Sequence, residues 1–383
     1  MRPAIALALI IVLGACTGQV APTLARSPAP TASPVPIASP APTASPAPTA
    51  PISTDSPAPT VSATPPASAT LDPAPSPATA PPAAAYVFEE FEVPGGAHPH
   101  DIAPAPDGSV WYTGQRNGTL GRLDPATGEV IEVPLGDGAA PHGVIVGPDG
   151  SVWVTDQGLN ALLRVDPDTL EVETLSMPGG QNASPHTPTI VGDGVVWFTG
   201  QSGFIGRFDP GAGDVQLFET PRGGGPYGID VTPANDVWFV SLGQSYLASV
   251  DRATGEMEVF EPPTPGQGAR RVWADSLSRL WLTEWNAGNL AMFDPSSGEW
   301  REWPMPASNS QPYAIYVDEL DLVWITDFGS NALVRFDPAT ETFDSFTIPT
   351  ADAAVRQLLG RDGELWGAES ATDKLVVLRW PTD

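Results

Sequence analysis

From residue 86 to the end of the chain, short apolar runs alternate with turn residues, at the spacing expected of strands. In the second of the resulting units, PHGVIVGP alternates apolar and other residues, Asp149 and Gly150 make a tight turn, and SVWVTDQ follows as the next strand. The runs ALLRVD and EVETLSMP complete the unit. Each unit is therefore predicted to be four short antiparallel strands.

One tryptophan inside an apolar run marks every unit. These tryptophans are 41 to 44 residues apart, and they are Trp111, Trp153, Trp197, Trp238, Trp281, Trp324 and Trp366. Seven four-stranded units without helices predict an all-β fold, a seven-bladed β-propeller. A large ring at the same place in each blade is expected to pack between neighbouring blades.

The first and last units predict how the ring closes. Residues 86–94, YVFEEFEVP, look like the fourth strands of later units, whereas the last unit has three strands and ends at KLVVLRW. We therefore expect the N-terminal strand (86–94) to complete the last blade. Such closure removes two open strand edges at once.

The segment before residue 86 indicates export. Residues 1–16 carry one basic residue, an apolar run and the sequence LGAC, which resembles the lipobox of bacterial lipoproteins, with Cys16 as the lipid attachment site. The alternative is an ordinary cleaved signal peptide with an incidental cysteine. Residues 17–85 are almost entirely Pro, Ala, Ser and Thr, which predicts a disordered tether before a propeller at 86–383. The chain is expected to be exported and lipid-anchored to the bacterial membrane, facing the periplasm or the cell exterior.

The charge of the chain limits its partners. The net charge is -28, which argues against binding to nucleic acid or to anionic lipid, so contact with the membrane is expected through the lipid anchor alone. Overall acidity favours neutral or cationic ligands. Cys16 is the single cysteine, which excludes disulfides within the chain and agrees with a monomer.

Chemistry-bearing residues recur at two positions of the repeat. The position eleven residues before each tryptophan holds His100, His142, His186, Tyr227, Arg270, Tyr313 and Val355. The position just after the second strand, or at its end, holds Gln115, Asp156, Gln157, Gln201, Glu284 and Trp285. In an antiparallel hairpin the start of one strand lies beside the end of the next, so both sets are predicted to line one mouth of the central channel.

These positions suggest roles that the residues alone leave open. His142, His100 and His186 are candidate proton-transfer residues, and His98 and Asp156 are candidate ligands of Mg²⁺ or another divalent metal. Candidate contacts to a small-molecule or peptide-like ligand are Gln115, Gln157, Gln201, Tyr227, Arg270, Glu284, Trp285 and Tyr313. The alternative is that the repeat merely favours an aromatic or polar residue after proline. Arg270, Arg271 and Arg356 either bind an anionic group or neutralise neighbouring acids.

The units PHGVIVGPDGSVWVTDQGLNALLRVDP and RLWLTEWNAGNLAMFD resemble the repeats of the streptogramin B lyase (virginiamycin B lyase) family over all of residues 86–383. The resemblance implies a seven-bladed propeller and a magnesium-dependent elimination that opens a cyclic depsipeptide at its ester bond. In that chemistry the metal polarises the ester carbonyl, and a histidine removes the proton from the adjacent carbon.

The residues that the resemblance makes catalytic are only partly present. Glu284 and Trp285 are kept, but Arg270 replaces a histidine, and Gln311-Pro312-Tyr313 stands where the family has Glu-Pro-His. Two functions follow as hypotheses: a metal-dependent carbon-oxygen lyase with a relocated site that includes His142, or a non-catalytic ligand-binding or scaffold propeller of the NHL type. A third is another propeller enzyme, such as a metal-dependent lactonase.

Overall fold

The computed structural model describes residues 81–82 and 85–381. The predicted signal peptide, Cys16 and nearly all of the predicted tether lie outside these described residues. Within them, no helix combines the length and the hydropathy needed to span a lipid bilayer.

The described residues form seven four-stranded antiparallel sheets. The first strands of the blades are β2 (Pro99–Pro104), β6 (Pro141–Val146), β10 (Pro185–Ile190), β14 (Pro226–Val231), β18 (Ala269–Ala274), β22 (Pro312–Val317) and β26 (Val355–Arg361). The second strands are β3 (Val110–Gly114), β7 (Val152–Asp156), β11 (Val196–Gly200), β15 (Val237–Ser241), β19 (Leu280–Glu284), β23 (Val323–Asp327) and β27 (Glu364–Glu369).

The outer strands follow in the same order. The third strands are β4 (Thr119–Asp124), β8 (Ala161–Val165), β12 (Phe204–Asp209), β16 (Tyr246–Val250), β20 (Asn289–Asp294), β24 (Ala332–Asp337) and β28 (Lys374–Arg379). The fourth strands are β5 (Glu129–Pro134), β9 (Val172–Ser176), β13 (Asp214–Glu219), β17 (Met257–Phe260), β21 (Glu299–Pro304), β25 (Thr342–Thr347) and, in the last blade, β1 (Val87–Glu92). A short 3-10 turn, Pro178–Gly180, follows β9.

The predicted ring closure is confirmed. Strand β1 pairs antiparallel with β28, with Phe91 opposite Leu375, and the ring of Phe91 stacks on Trp366 at 5.5 Å between centroids. The first strands contact each other all round the channel, including β26 with β2. The two ends of the described chain are therefore joined in one sheet.

The hydrophobic core lies between the blades. Trp111 and Leu120 of the first blade pack with Val144, Val152 and Leu163 of the second. All five side chains are at most 2% exposed. A single blade would leave these faces in water, so the stacking of neighbours supplies the burial that holds each sheet.

Every first strand begins with a β-bulge, in which two residues lie opposite one residue of the second strand. In the first blade His100 and Asp101 lie opposite Thr113. The Thr113 hydroxyl accepts the N–H of Asp101 at 3.0 Å and donates to the carbonyl oxygen of His142, in the next blade, at 2.8 Å. Equivalent threonines join the second blade to the third, the third to the fourth and the fifth to the sixth. This explains the threonine that follows most of the repeat tryptophans.

Candidate functional site at the channel mouth

Three histidines and a tyrosine from four consecutive blades form a stack of rings at the start of the first strands. The centroids of His100 and His142 are 3.7 Å apart, those of His142 and His186 are 3.6 Å apart, and Tyr227 follows at 4.0 Å. The histidines are at most 4% exposed. Burial lowers the pKa of all three well below the usual value, and the charge of Arg271 lowers it further. The stack is therefore uncharged at neutral pH.

A buried ion pair crosses the channel beside this stack. Arg271 donates to the Asp101 carboxylate at 2.9 Å and to the Thr187 hydroxyl at 2.8 Å, which connects the fifth blade to the first and the third. The same Asp101 oxygen lies 2.8 Å from Nδ1 of His100. Burial raises the pKa of Asp101, against the lowering effect of Arg271. Of the two readings of the arginines, neutralisation of an acid therefore applies to Arg271.

Two tyrosines and two arginines form the other side of the mouth. The hydroxyl oxygens of Tyr227 and Tyr313 are 2.5 Å apart. Arg270 donates to the Tyr227 hydroxyl at 2.9 Å, and its guanidinium lies 3.7 Å from the ring centroid of Tyr313 and 4.5 Å from that of Trp285. Arg356 donates to the Tyr313 hydroxyl at 3.4 Å. Although burial raises it, the pKa of Tyr313 is lowered overall by the charges of Arg270, Arg271 and Arg356.

The turns after the second strands carry half-buried polar and aromatic side chains. Gln115 lies in the turn after β3, and Gln157 donates its amide to Gln201 of the next blade at 3.2 Å. Trp285 meets Tyr313 edge-on at 5.7 Å and Phe328 at 5.6 Å. These side chains surround the entrance above the tyrosine pair.

A hollow of about 810 Å³ adjoins Trp285 between the loops of the fifth and sixth blades. Its lining includes Trp285, Asn286, Met305, Ser310 and Gln311, and none of its lining residues is charged. The surface of an acidic domain thus contains a neutral recess of the size of a small-molecule site, next to the channel mouth.

Three of the sequence-predicted site residues lie apart from the histidine stack. Asp156 accepts the backbone N–H groups of Ala140 and Leu159, so it fixes turns of its own blade. Glu284 accepts the side-chain amide of Asn289, and burial raises its pKa to about 8. His98 is half-buried with φ 51°, and its backbone N–H donates to Asp373 at 2.7 Å. The structure brings together the six other first-strand candidates, from His100 to Tyr313.

Asp101 and Thr187, the second residues of the first and third bulges, were missing from the predicted site. Asp101 and Thr187 face the channel because the bulge turns two consecutive side chains inwards, which strand alternation alone does not predict. Among the described residues, the group of donors close enough to share a metal is His100, Asp101 and His142, with ligand atoms within 4.8 Å of one another. The sequence signal for this group was the unusual run HPHD.

A family model, the virginiamycin B lyase family, matches residues 83–297, more than half of the chain. The chain belongs to the virginiamycin B lyase family. The solved virginiamycin B lyase of Staphylococcus aureus superposes with a TM-score of 0.72 at 23% identity, covering 77% of this chain and 100% of that chain. A catalytically inactive variant of that enzyme, solved with quinupristin, gives the same values.

Similarity of fold extends beyond this family. Hydrazine synthase of Kuenenia stuttgartiensis matches with a TM-score of 0.63 at 16% identity, covering 76% of this chain and 97% of that chain. No curated protein matches the sequence significantly. Because the fold serves unrelated functions, the function of this member of the virginiamycin B lyase family has to be argued from its own site.

At the positions where the resemblance places the catalytic Glu-Pro-His of virginiamycin B lyases, the chain has Gln311, Pro312 and Tyr313. Gln311 is exposed, and the neighbouring Asp327 carboxylate already accepts the backbone N–H of Gln311 and the hydroxyl of Ser310. Tyr313 is 1% exposed beneath Arg270. Positions 311 and 313 therefore do not supply the carboxylate and the imidazole that the resemblance calls for.

The donor set near the histidines also does not suit the magnesium ion of virginiamycin B lyases. Mg²⁺ takes oxygen ligands in an octahedral arrangement. In the group of His100, Asp101 and His142 the carboxylate is the one oxygen donor, and its Oδ1 already receives Arg271 at 2.9 Å. The Arg271 guanidinium already balances the charge of Asp101, so this group of residues does not fit a magnesium ion.

Proposed function

We propose that this chain is a ligand-binding propeller of the virginiamycin B lyase family, exported and lipid-anchored, that holds a small-molecule or peptide-like ligand at its channel mouth without transforming it. The observation that carries this proposal is the exchange of the lyase groups: Tyr313 and Gln311 stand in their place, while Arg270, Arg356 and Trp285 are the groups that a ligand meets.

The burial of the three histidines supports a binding function over an elimination reaction. A general base has to reach the proton that it removes, within about 3 Å. His100, His142 and His186 are uncharged and so able to accept a proton, but each is at most 4% exposed and the rings cover one another. A ligand at the mouth contacts guanidinium, indole and amide groups before it meets any of them.

The sequence supports the proposed location. Export and lipid attachment at Cys16 follow from the lipobox-like end of residues 1–16, and the Pro-rich tether is long enough to hold the propeller away from the membrane. The strongly acidic chain favours a propeller that stays in solution beyond its lipid anchor, with no nucleic-acid partner.

A second candidate is a carbon-oxygen lyase acting on a cyclic depsipeptide. Membership of the family favours this candidate, and so does the presence of Glu284 and Trp285. Trp285 contacts Arg270 in the mouth and also lines the neutral hollow. In this candidate the proton acceptor would come from the relocated cluster of His100, His142 and His186.

One assay separates the two candidates. The full chain, purified from membranes in detergent, is incubated with quinupristin in Mg²⁺ or in EDTA, and the ring-opened product is followed by mass spectrometry. We expect quinupristin to stay intact under both conditions. Formation of the linear product would overturn the binding proposal. Its loss in His142→Ala, with no loss in the control Arg164→Gln on the third strand of the second blade, would assign the chemistry to the histidine stack.

A further inference from the structure

The arginines without an acidic partner are all on one face of the propeller. The described residues contain fourteen arginines, of which eleven lie within ion-pair distance of a carboxylate. The other three are Arg270 and Arg356 in the channel mouth and Arg116 in the turn after β3. In a chain of net charge -28, a cluster of unneutralised cations is a local exception.

The carboxylates nearest along the strands are turned away from this cluster. Glu284 pairs across the ladder with Ala269, beside Arg270, but its carboxyl accepts from Asn289. Glu369 pairs with Val355, beside Arg356, but its carboxyl accepts the Thr372 hydroxyl. Asp101 is committed to Arg271. The mouth therefore keeps two positive charges that the described residues do not neutralise.

The surroundings of the two arginines fix their positions. Aromatic rings of Tyr227, Trp285 and Tyr313 surround the Arg270 guanidinium, and its buried Nε has no hydrogen-bond partner. The Arg356 Nε donates to Ser370 at 2.6 Å, while its Nη1 reaches the Tyr313 hydroxyl at 3.4 Å. Only some of the N–H groups of each guanidinium are used in these hydrogen bonds, so others remain to face a ligand.

We propose that Arg270 and Arg356 bind the oxyanion of an organic acid at the channel mouth, and that the uncharged body of the same ligand lies in the hollow beside Trp285. This inference rests on the proposed binding function and names its ligand class. Guanidinium groups match carboxylate and phosphate oxygens in geometry and charge, and an anion would compensate cations that are partly removed from water.

The hollow specifies the rest of the ligand. Its amides and hydroxyls, from Asn286, Asn309 and Ser310, suit a body that carries amide or hydroxyl groups, and Trp285 and Met305 suit an apolar ring or chain. Net acidity of the whole chain favours neutral or cationic ligands, but the sign of the charge at the mouth is the opposite. The ligand class follows from the local charge because exposed charges further away are screened by salt.

The test compares a carboxylate probe with its uncharged amide of the same size. N-acetyl-L-phenylalanine and its neutral amide are titrated into the full chain and followed by tryptophan fluorescence, with inorganic phosphate as a third probe. We expect the acid to bind about tenfold more tightly than the amide, the size of one charge-assisted hydrogen-bonded contact. Arg270→Gln and Arg356→Gln should remove this difference, Arg356→Lys should keep part of it, and the control Arg164→Gln should keep all of it.

The outcomes separate this inference from the binding function. Equal affinities for acid and amide, unchanged in the arginine variants, would overturn the anion site and leave binding at the mouth intact. No saturable response to the acid or to phosphate would also overturn it. Tighter binding of the acid assigns the site to carboxylates and tighter binding of phosphate assigns it to phosphates, and either supports the inference. Because Arg270→Gln removes aromatic contacts, Arg356→Gln is decisive if Arg270→Gln unfolds.

Discussion

Arg271 in the fifth blade donates to the carboxylate of Asp101 in the first blade at 2.9 Å, although the two residues are 170 positions apart in the sequence. Both side chains are at most 4% exposed. The contact spans the channel, so it ties together blades that share no core. Its buried charges make the site sensitive to the loss of either partner.

Asp101→Asn should lower the free energy of unfolding by about 3 kcal/mol, because it leaves the Arg271 guanidinium buried without a counter-charge. Urea unfolding followed by tryptophan fluorescence measures this change. The double variant Asp101→Asn with Arg271→Met should recover a large part of the loss, since no buried charge remains. A loss below about 0.5 kcal/mol in Asp101→Asn, the range of ordinary surface changes, would show that water compensates Arg271.

Thr283→Val should destabilise the propeller by about 1 to 3 kcal/mol. The hydroxyl of Thr283 accepts the backbone N–H of Arg271 at 3.1 Å and donates to the carbonyl oxygen of Tyr313 at 2.9 Å, and valine leaves both backbone groups unsatisfied. Chemical denaturation gives the free energy of unfolding.

The chain offers two controls for this substitution. The exposed Thr342→Val on β25 should change stability by less than about 0.5 kcal/mol. The fourth blade has Val240 at the position equivalent to Thr283, so a valine there is compatible with folding. An equal effect of Thr283→Val and Thr342→Val would contradict a bridging role for the hydroxyl.

Removal of β1 should open the ring. A chain that begins at residue 95 lacks the strand that pairs with β28, and it also lacks Phe91, which stacks on Trp366. The exposed edge of β28 would then pair with other molecules. We expect size-exclusion chromatography to show oligomers and thermal unfolding to start at a lower temperature. Addition of a peptide of residues 85–94 should restore the monomer, whereas a scrambled peptide should not.

The histidine stack predicts that stability falls in acid. The folded state holds His142 neutral, while the unfolded side chain takes up a proton near its usual pKa of 6.5. The stabilisation that depends on a neutral His142 is therefore present above about pH 6.5. It is lost as the pH falls, and the free energy of unfolding then approaches a slope of about 1.4 kcal/mol per pH unit. The unfolding free energy of the parent chain should rise relative to that of His142→Gln by about 1 kcal/mol from pH 5.5 to 6.5, less than the limiting slope because the unfolded histidine is half deprotonated at pH 6.5. A difference that does not change with pH would mean that the stack takes up protons when folded.

The stabilisation contributed by Glu284 should change with pH in the opposite direction. Burial raises its folded pKa to about 8 from 4.5, so the folded state binds the extra proton, and its contribution is lost as the pH rises from about 4.5 to 8. Glu284→Gln keeps the hydrogen bond to Asn289 without titrating. The advantage of the parent chain over this variant should shrink across that range, measured in the same urea series.

The sequence was enough to predict the architecture because its signals are local. The tryptophan period gave the number of blades, and the strand-like segment at 86–94 gave the ring closure that β1 and β28 form. The register of antiparallel hairpins also placed His100, His142 and His186 at the same level of the channel, where their rings do stack.

Contacts between blades could not be predicted from the sequence. The bulge that turns Asp101 inwards depends on where the Thr113 hydroxyl meets two backbones, one of them in another blade. The pairing of Arg271 with Asp101, and not of Arg270 or Arg356, depends on this second inward position. Net charge does not locate the unpaired cations for a similar reason, because a total over the whole chain carries no information about which arginines at the mouth lack a carboxylate partner.

The bulges let the residues that line the channel differ between blades while the backbone pairing stays the same. Each blade places two adjacent residues in its bulge on an unchanged backbone, and in this chain the seven pairs are His-Asp, His-Gly, His-Thr, Tyr-Gly, Arg-Arg, Tyr-Ala and Arg-Gln. Comparison of the blades therefore shows the effect of substitution at one place: residues as different as glycine and arginine occupy equivalent positions without altering the ladder of backbone hydrogen bonds. Gly143 and Gly228 are fixed, because a Cβ atom there would lie within 3 Å of the backbone of the next blade. The other bulge positions can vary while the tryptophan core stays the same.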